Sequence, residues 1–165
     1  MKKYLFFFVF AFSLLSACAV EDSTTYYLIR HAEKDRTDKT NRNPNLNFDG
    51  EKRAQNWAEY FKDVHLDAVY STSYNRTMQT ATPASSVKKL EIQNYDPNKM
   101  YDSIFHRDTQ GKTALIVGHS NTTPAFVNKI IGEKKYENMR DNDNASLYIV
   151  TITADKKTSR IEKVE

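Results

Sequence analysis

The chain has 165 residues, of which 39% are hydrophobic and 27% are charged. This length and composition suit one globular domain with a buried core. The formal net charge is +3, and it falls to +1 (22 Lys and Arg against 21 Asp and Glu) without Lys2 and Lys3, which lie in a segment that we expect to be removed. A nearly neutral surface does not favour nucleic-acid binding, so any attraction for anions must come from local arginines.

The amino terminus has the pattern of a targeting segment. Lys2 and Lys3 precede an apolar run over residues 4–15. The run is too short to span a bilayer but suits the core of a signal peptide. The next residues, Leu15-Ser16-Ala17-Cys18, are similar to a bacterial lipoprotein processing site.

These features predict a lipoprotein signal peptide over residues 1–17, a tether over 18–24 and a folded domain over 25–165. Cys18 is the only cysteine, so no intrachain disulfide can form. A lipidated Cys18 predicts a location in the bacterial cell envelope, anchored in a membrane and facing either the periplasm or the cell surface. The alternative is a plain secretory peptide with an incidental cysteine.

The first predicted strand covers residues 26–29, an apolar run without helical spacing. The apolar run stops at the pair Arg30-His31. Open α/β sheets bind ligands just beyond the carboxyl ends of their strands. Arg30 and His31 are therefore candidates for holding and attacking an anion.

A long polar stretch, residues 35–47, follows this pair. A loop of this length in a compact domain is uncommon, so the stretch is interpreted either as one wall of the site or as a solvated excursion. Asn47 is a good N-cap. The helix that it begins has four apolar residues on one face, which we expect to pack on the sheet: Ala54, Trp57, Ala58 and Phe61.

Two later apolar runs, 68–70 and 114–117, predict strands that end in the same way. The first leads to Arg76 and the second leads to His119-Ser120-Asn121. Three strand ends should thus bring two arginines and two histidines to one edge of a sheet.

The remaining elements alternate in type along the chain. Strand–helix alternation predicts an α/β fold, a three-layer α/β/α sandwich with a mostly parallel central sheet. A helix is expected from Asn75, and Pro83 should interrupt or kink it. A half-buried strand over 90–95, a turn at Asp96-Pro97 and a short helix before Gly111 should follow. The last expected elements are a helix that Asn121 or Thr122 caps and Gly132 ends, a strand over 145–152 and an edge strand over 159–164.

The set Arg30, His31, Arg76 and His119, in this order, resembles branch 1 of the histidine phosphatase superfamily, which has the phosphoglycerate mutase-like fold. The resemblance covers about residues 26–152. It implies that His31 attacks phosphorus and forms a phosphohistidine, that the two arginines clamp the phosphoryl oxygens and that His119 is a phosphate ligand. The second nitrogen of His31 needs a partner that fixes the tautomer, and we expect a backbone carbonyl.

The sequence departs from the usual family pattern in two ways. Ala32 stands where the commonest first motif has glycine, which gives the variant Arg-His-Ala-Glu-Lys. The general acid is also unmarked. Asp96 is our first candidate, with Asp102 and Glu33 as further ones, and each could instead be a turn or surface carboxylate. Without an acid, only substrates with good leaving groups, such as phosphohistidine or acyl phosphates, should be hydrolysed quickly.

The resulting hypothesis is a cofactor-independent phosphatase that acts on phosphomonoesters or phosphohistidine-type substrates, either small molecules or proteins. Ser120, Asn121 and Glu33 are predicted to join the substrate contacts. A phosphoglycerate mutase-like phosphotransferase and a non-catalytic phosphate-binding module are the alternatives. A serine-hydrolase elbow is disfavoured because Thr122 replaces its last glycine, and the scattered histidines predict no metal.

Overall fold

The computed structural model of the chain describes residues 23–164. The predicted signal peptide, Cys18 and most of the predicted tether lie outside the described residues. Within the described part, no helix combines the length and the apolar character needed to cross a membrane. The elements in chain order are β1 Thr24–Arg30, α1 Phe48–Phe61, β2 Ala68–Ser71, α2 Asn75–Lys88, β3 Ile92–Asn94, α3 Ser103–Thr109, β4 Thr113–Gly118, α4 Thr122–Ile131, β5 Ser146–Ile152 and β6 Lys157–Lys163.

All six of these strands form one sheet in the order β3-β2-β4-β1-β5-β6. The first four strands in this order run parallel to one another. β5 and β6 are antiparallel to their neighbours. The prediction of a mostly parallel sheet is therefore confirmed, and the expected edge strand is β6, which begins two residues earlier than predicted.

Helices cover both faces of the sheet. Alternate side chains of each strand point to opposite faces, so neighbouring residues pack on different helices. Leu28 of β1 belongs to a buried cluster with Phe126 of α4. The adjacent Ile29 belongs to a second cluster with Trp57 and Phe61 of α1. Helices thus pack on each side of the sheet, and the predicted three-layer α/β/α sandwich is confirmed.

The first helix begins and packs as the sequence predicts. The Asn47 side chain accepts a hydrogen bond of 2.9 Å from the backbone N–H of Gly50, which satisfies one of the free donors of the first turn. The four residues predicted to pack on the sheet are all buried: Ala54, Trp57, Ala58 and Phe61.

The sequence predicts that Pro83 interrupts or kinks the second helix, and the expected interruption is wrong. α2 continues through Pro83 to Lys88. Ala81 and Ala84, on either side of the proline, are completely buried. Their packing holds the helix across the one backbone hydrogen bond that proline removes.

The sheet register places three strand ends side by side. Arg30 at the end of β1 pairs with Gly118 at the end of β4, and Ser71 at the end of β2 pairs with Val117. The loops that leave these three parallel strands therefore start at one edge of the sheet, where α/β proteins bind their ligands.

Candidate active site

Arg30, His31, Arg76 and His119 line one cleft of about 520 Å³ at this edge. The four side chains that the sequence singled out are therefore brought together. Ser120 and Asn121, two of the predicted substrate contacts, line the same cleft. The rings of His31 and His119 lie edge to face, with centroids 5.5 Å apart.

The backbone at His31 is held on both sides. Its N–H donates to the carbonyl of Gly118 at 2.9 Å, and its carbonyl accepts from the side-chain amide of Asn144 at 2.8 Å. The N–H of Ala32 donates to Thr80 Oγ1 at 2.9 Å. Ala32 is not among the described residues with positive φ, so the backbone at this position does not require a glycine.

The imidazole of His31 has a defined tautomer. Its Nδ1 lies 2.7 Å from the carbonyl oxygen of Ala32. A carbonyl only accepts, so Nδ1 carries the proton and Nε2 keeps its lone pair. Burial, with smaller contributions from the charges of Arg30 and Arg76, lowers the pKa of His31 to about 3. The ring is therefore neutral at physiological pH and can act as a nucleophile.

Arg76 has buried polar atoms without a hydrogen-bond partner in the described part of the chain. Its guanidinium carbon lies 4.4 Å from the centroid of the Tyr74 ring, in a cation–π contact. Within residues 23–164 its Nε and Nη1 are buried and donate no hydrogen bond, and the same holds for Arg30 Nε. Buried donors of this kind require an explanation, and an oxyanion bound in the cleft supplies one.

Arg30 is oriented by a distant loop. Its Nη1 donates to the backbone carbonyls of Arg140, Asp141 and Asp143 at 3.1, 2.9 and 3.2 Å. Its Nη2 lies 3.2 Å from Asp141 Oδ1. An anion in the cleft can therefore bind Nε and Nη2 of Arg30, whereas Nη1 is already engaged by the backbone carbonyls. Nothing in the sequence pattern of residues 141–144 indicates this role.

A chain of hydroxyl groups orients His119. Its Nε2 lies 3.0 Å from Thr72 Oγ1, which lies 2.9 Å from Thr77 Oγ1. Thr77 Oγ1 donates in turn to the carbonyls of Thr72 and Tyr74. Because Thr77 Oγ1 donates to carbonyls, it accepts from Thr72 Oγ1, which in turn accepts from His119 Nε2. The proton of the neutral imidazole is therefore assigned to Nε2. The sequence reading missed Thr72, although its place directly after β2 is a signal that could have found it.

The charge of His119 depends on what occupies the cleft. Burial, followed by the charges of Arg76, Arg30 and Lys34, lowers the pKa of His119 to about 4. Its Nδ1 lies 3.5 Å from Arg76 Nη2. An anion in the cleft opposes these effects, because a nearby negative charge favours the charged imidazole.

None of the three carboxylates proposed as general acid lines this cleft. Asp96 is exposed, and its Oδ1 accepts from the backbone N–H of Asn98 at 2.8 Å, which closes a local turn. Asp102 caps α3 by accepting from Phe105. Glu33 is bound by Arg53 Nε at 2.8 and 2.9 Å. Asp96 therefore adjoins the cleft, which Pro97 and Asn98 line, and its side chain has the turn role that the sequence left open.

The carboxylate that does line the cleft is Asp141. It pairs with Arg36 at 2.9 Å and with Arg30 at 3.2 Å. These contacts, of which the hydrogen bond from Arg36 is the largest, lower the pKa of Asp141. Asp141 is therefore ionised and carries no proton for a leaving group.

A second, larger cleft of about 920 Å³ adjoins the first and shares Arg30, His31, Lys34 and Asp141 with it. The polar stretch 35–47 supplies part of its wall, which supports the first of the two interpretations of this stretch. Its backbone is organised by successive turns closed by Asp35, Asp38 and Asn41. Glu33, a predicted substrate contact, lines only this larger cleft of the two.

The sequence pattern of the histidine phosphatase superfamily (branch 1) matches residues 26–97. This segment contains Arg30, His31 and Arg76 but ends before His119. A search of curated proteins found no similar sequence.

Comparison of structures shows the fold. The protein histidine phosphatase SixA complexed with tungstate is 14% identical, with a TM-score of 0.66 over 84% of this chain and 96% of that one. Phosphoglycerate mutase from Bacillus anthracis strain Sterne is 14% identical, with a TM-score of 0.65 over 87% and 93%. A mycobacterial glucosyl-3-phosphoglycerate phosphatase is 11% identical, with a TM-score of 0.63 over 86% and 98%. The predicted phosphoglycerate mutase-like fold is confirmed.

Proposed function

We propose that this chain is a phosphatase that forms a covalent phosphohistidine on His31. The match over residues 26–97 and the fold support membership of branch 1 of the histidine phosphatase superfamily. The observation that carries the proposal is the state of the His31 ring. Its Nδ1 is committed to a backbone carbonyl, which leaves Nε2 unprotonated in a cleft with two arginines.

The reaction has two steps. In the first, Nε2 of His31 attacks phosphorus while the bond from phosphorus to the leaving group breaks. In the second, water attacks the phosphohistidine, which releases inorganic phosphate and restores the neutral ring. Arg30, Arg76 and a protonated His119 stabilise the charge on the phosphoryl oxygens in both steps. No cofactor enters this scheme.

The proposed substrates are phosphomonoesters, with phosphohistidine-type compounds as the second class. Two observations bear on the second class. The three predicted carboxylic acids do not line the cleft, and a substrate with a good leaving group needs no acid. The structural neighbour SixA is described as a protein histidine phosphatase. Hydrolysis rates for an alkyl phosphate and for a phosphohistidine peptide distinguish the two classes.

Hydrolysis of para-nitrophenyl phosphate by the wild type and by His31→Ala tests the proposal. We expect phosphate release by the wild type and loss of release in His31→Ala. His65→Ala is the matched control, because His65 is an exposed histidine paired with Asp67 on the surface. Equal rates for the wild type and His31→Ala contradict the enzyme proposal and favour a non-catalytic phosphate-binding module. With a phosphoglycerate as the substrate, formation of the isomeric phosphoglycerate instead of inorganic phosphate identifies a mutase.

We also propose that lipidated Cys18 anchors the protein in the cell envelope. The support is the sequence alone: a basic start, an apolar core and the residues Leu15-Ser16-Ala17-Cys18. Fractionation of cells that express the wild type or Cys18→Ser tests it. We expect the wild type in the membrane fraction and Cys18→Ser in the soluble fraction. Equal partition of the two contradicts lipid anchoring.

A further inference from the structure

Lys34 lies where the two clefts meet. It lines the smaller cleft together with Arg30 and Arg76, and it lines the larger cleft together with Arg36. Its backbone is fixed by an antiparallel bridge to Leu46, and its side chain is half-buried. The ammonium group is therefore next to the phosphate pocket, on the side where the larger cleft has room for the rest of a substrate.

The ammonium of Lys34 has no partner among residues 23–164: no carboxylate lies within ion-pair distance and no acceptor within hydrogen-bond distance. Burial, followed by the charges of Arg76 and Arg36, lowers the pKa of Lys34, and Asp141 offsets only part of this effect. A lysine in such surroundings releases its proton more readily than an exposed one. It can therefore act as an acid and, once neutral, as a base.

The carboxylates near the clefts are engaged elsewhere. Asp141 is held ionised by two arginines, and Glu33 is paired with Arg53. Asp35 accepts the backbone N–H of Thr37. The reaction nevertheless needs a proton for the leaving oxygen of an alkyl phosphate, because an alkoxide is a poor leaving group.

We propose that Lys34 is the general acid and base of the reaction, an inference that rests on the phosphatase function proposed above. As the Nε2–P bond to His31 forms and the O–P bond breaks, the Lys34 ammonium gives its proton to the leaving oxygen, so the alcohol departs neutral. In the second step the neutral amine takes a proton from the attacking water. His31 is released as a neutral ring, the phosphoryl group leaves as inorganic phosphate, and Lys34 is an ammonium again.

The test compares leaving groups in the full-length protein. The kcat/KM values for 2,4-dinitrophenyl phosphate, phenyl phosphate and an alkyl phosphate are measured for the wild type, Lys34→Met and Lys34→Arg. This parameter reports the first phosphoryl transfer. Lys39→Met, an exposed lysine of the same polar stretch, is the control. We expect both Lys34 variants to lose about 100-fold or more on the alkyl phosphate and little on the dinitrophenyl ester, whose leaving group needs no proton.

The other outcomes are distinct. If kcat/KM of Lys34→Met falls by the same factor for all three substrates, and Lys34→Arg has wild-type values, the proposal is overturned. Lys34 is then a cationic ligand of the phosphate. A wild type that hydrolyses the dinitrophenyl ester but not the alkyl ester overturns the proposal and leaves the phosphatase function intact. A wild type that hydrolyses none of the substrates overturns both.

The pH profile gives a second readout. On the alkyl phosphate, kcat/KM of the wild type should fall at alkaline pH as Lys34 loses its proton, and Lys34→Met should lack this limb. The charged or titratable groups around Lys34 are Arg30, Arg36, Arg76, His31, His119, Glu33, Asp35, Asp141 and Tyr74. The histidines and Asp141 titrate in the acid range. Tyr74→Phe should keep the limb, and its loss in that variant overturns the proposal.

Discussion

Asn144 donates a hydrogen bond of 2.8 Å from its buried side-chain amide to the backbone carbonyl of His31, across 113 residues of sequence. Asn144→Ala leaves this carbonyl without its partner. We expect the free energy of unfolding to fall by about 1–3 kcal/mol and kcat to fall because the nucleophile is less firmly oriented. Urea unfolding and steady-state kinetics measure the two effects.

The control for this prediction is Asn138→Ala, which changes an exposed asparagine of the same segment. It should behave as the wild type in both measurements. If Asn144→Ala does so too, the amide does not support His31.

Arg76→Lys should not be a conservative change. The two buried donors of Arg76, Nε and Nη1, form part of a fork that a lysine ammonium cannot reproduce. We expect kcat/KM on para-nitrophenyl phosphate to fall by about 100-fold or more. Arg107→Lys, at an arginine paired with Asp108 on the surface, should have no effect. Activity of Arg76→Lys close to that of the wild type means that Arg76 does not hold the phosphoryl group.

Stability should fall in acid because of the two cleft histidines. Burial lowers the pKa of His31 from 6.5 to about 3 and that of His119 to about 4. Below about pH 6.5 the unfolded chain takes up protons that the folded chain does not, so the free energy of unfolding falls with pH down to the folded pKa values. Above that range both states are neutral and the two histidines contribute nothing.

Urea unfolding between about pH 7.5 and about pH 4.5 measures this effect. His31→Asn and His119→Asn should each lose less stability over the interval than the wild type, and His65→Asn, at an exposed histidine, should lose as much. An identical pH dependence in all four proteins excludes buried neutral histidines as its source.

Gly50 lets α1 approach the loop that follows His31. A Cβ at this position would lie 2.0 Å from the backbone oxygen of Glu33, so Gly50→Ala must displace either the helix or the loop. We expect a destabilisation of about 1–3 kcal/mol, typical of overpacking, together with reduced activity. Gln55→Ala, on the exposed face of α1, should be neutral. Thermal unfolding measures the change in stability. If Gly50→Ala is as stable as the wild type, the loop moves aside at no cost in stability and the prediction is wrong.

The sequence predicted most of the fold because its signals are local. Asn47 caps α1 through an amide three residues away, and the apolar runs that became β1, β2 and β4 are buried on both faces, as parallel strands require. The order of strands then placed Arg30, His119 and the first turn of α2, which carries Arg76, at one edge of the sheet. Local geometry also supplied the partner of His31 Nδ1, which is the carbonyl of the next residue.

The rest of the site depends on contacts that no local pattern encodes. The loop that fixes Arg30 lies more than 100 residues further along the chain, and its carbonyls could come from any sequence. The Asp96 side chain satisfies its own turn, a choice that only the folded backbone reveals. Packing likewise carried α2 through Pro83, against the local preference of proline.

The most direct measurement is the identification of the phosphorylated residue during turnover. The full-length protein is mixed with para-nitrophenyl phosphate, quenched in alkali, in which phosphohistidine survives, and digested for mass spectrometry. The account predicts a phosphoryl group on His31 of the wild type and none on His31→Asn, which should also release no phosphate. A phosphoryl group on another residue, or phosphate release by His31→Asn at the wild-type rate, would contradict it.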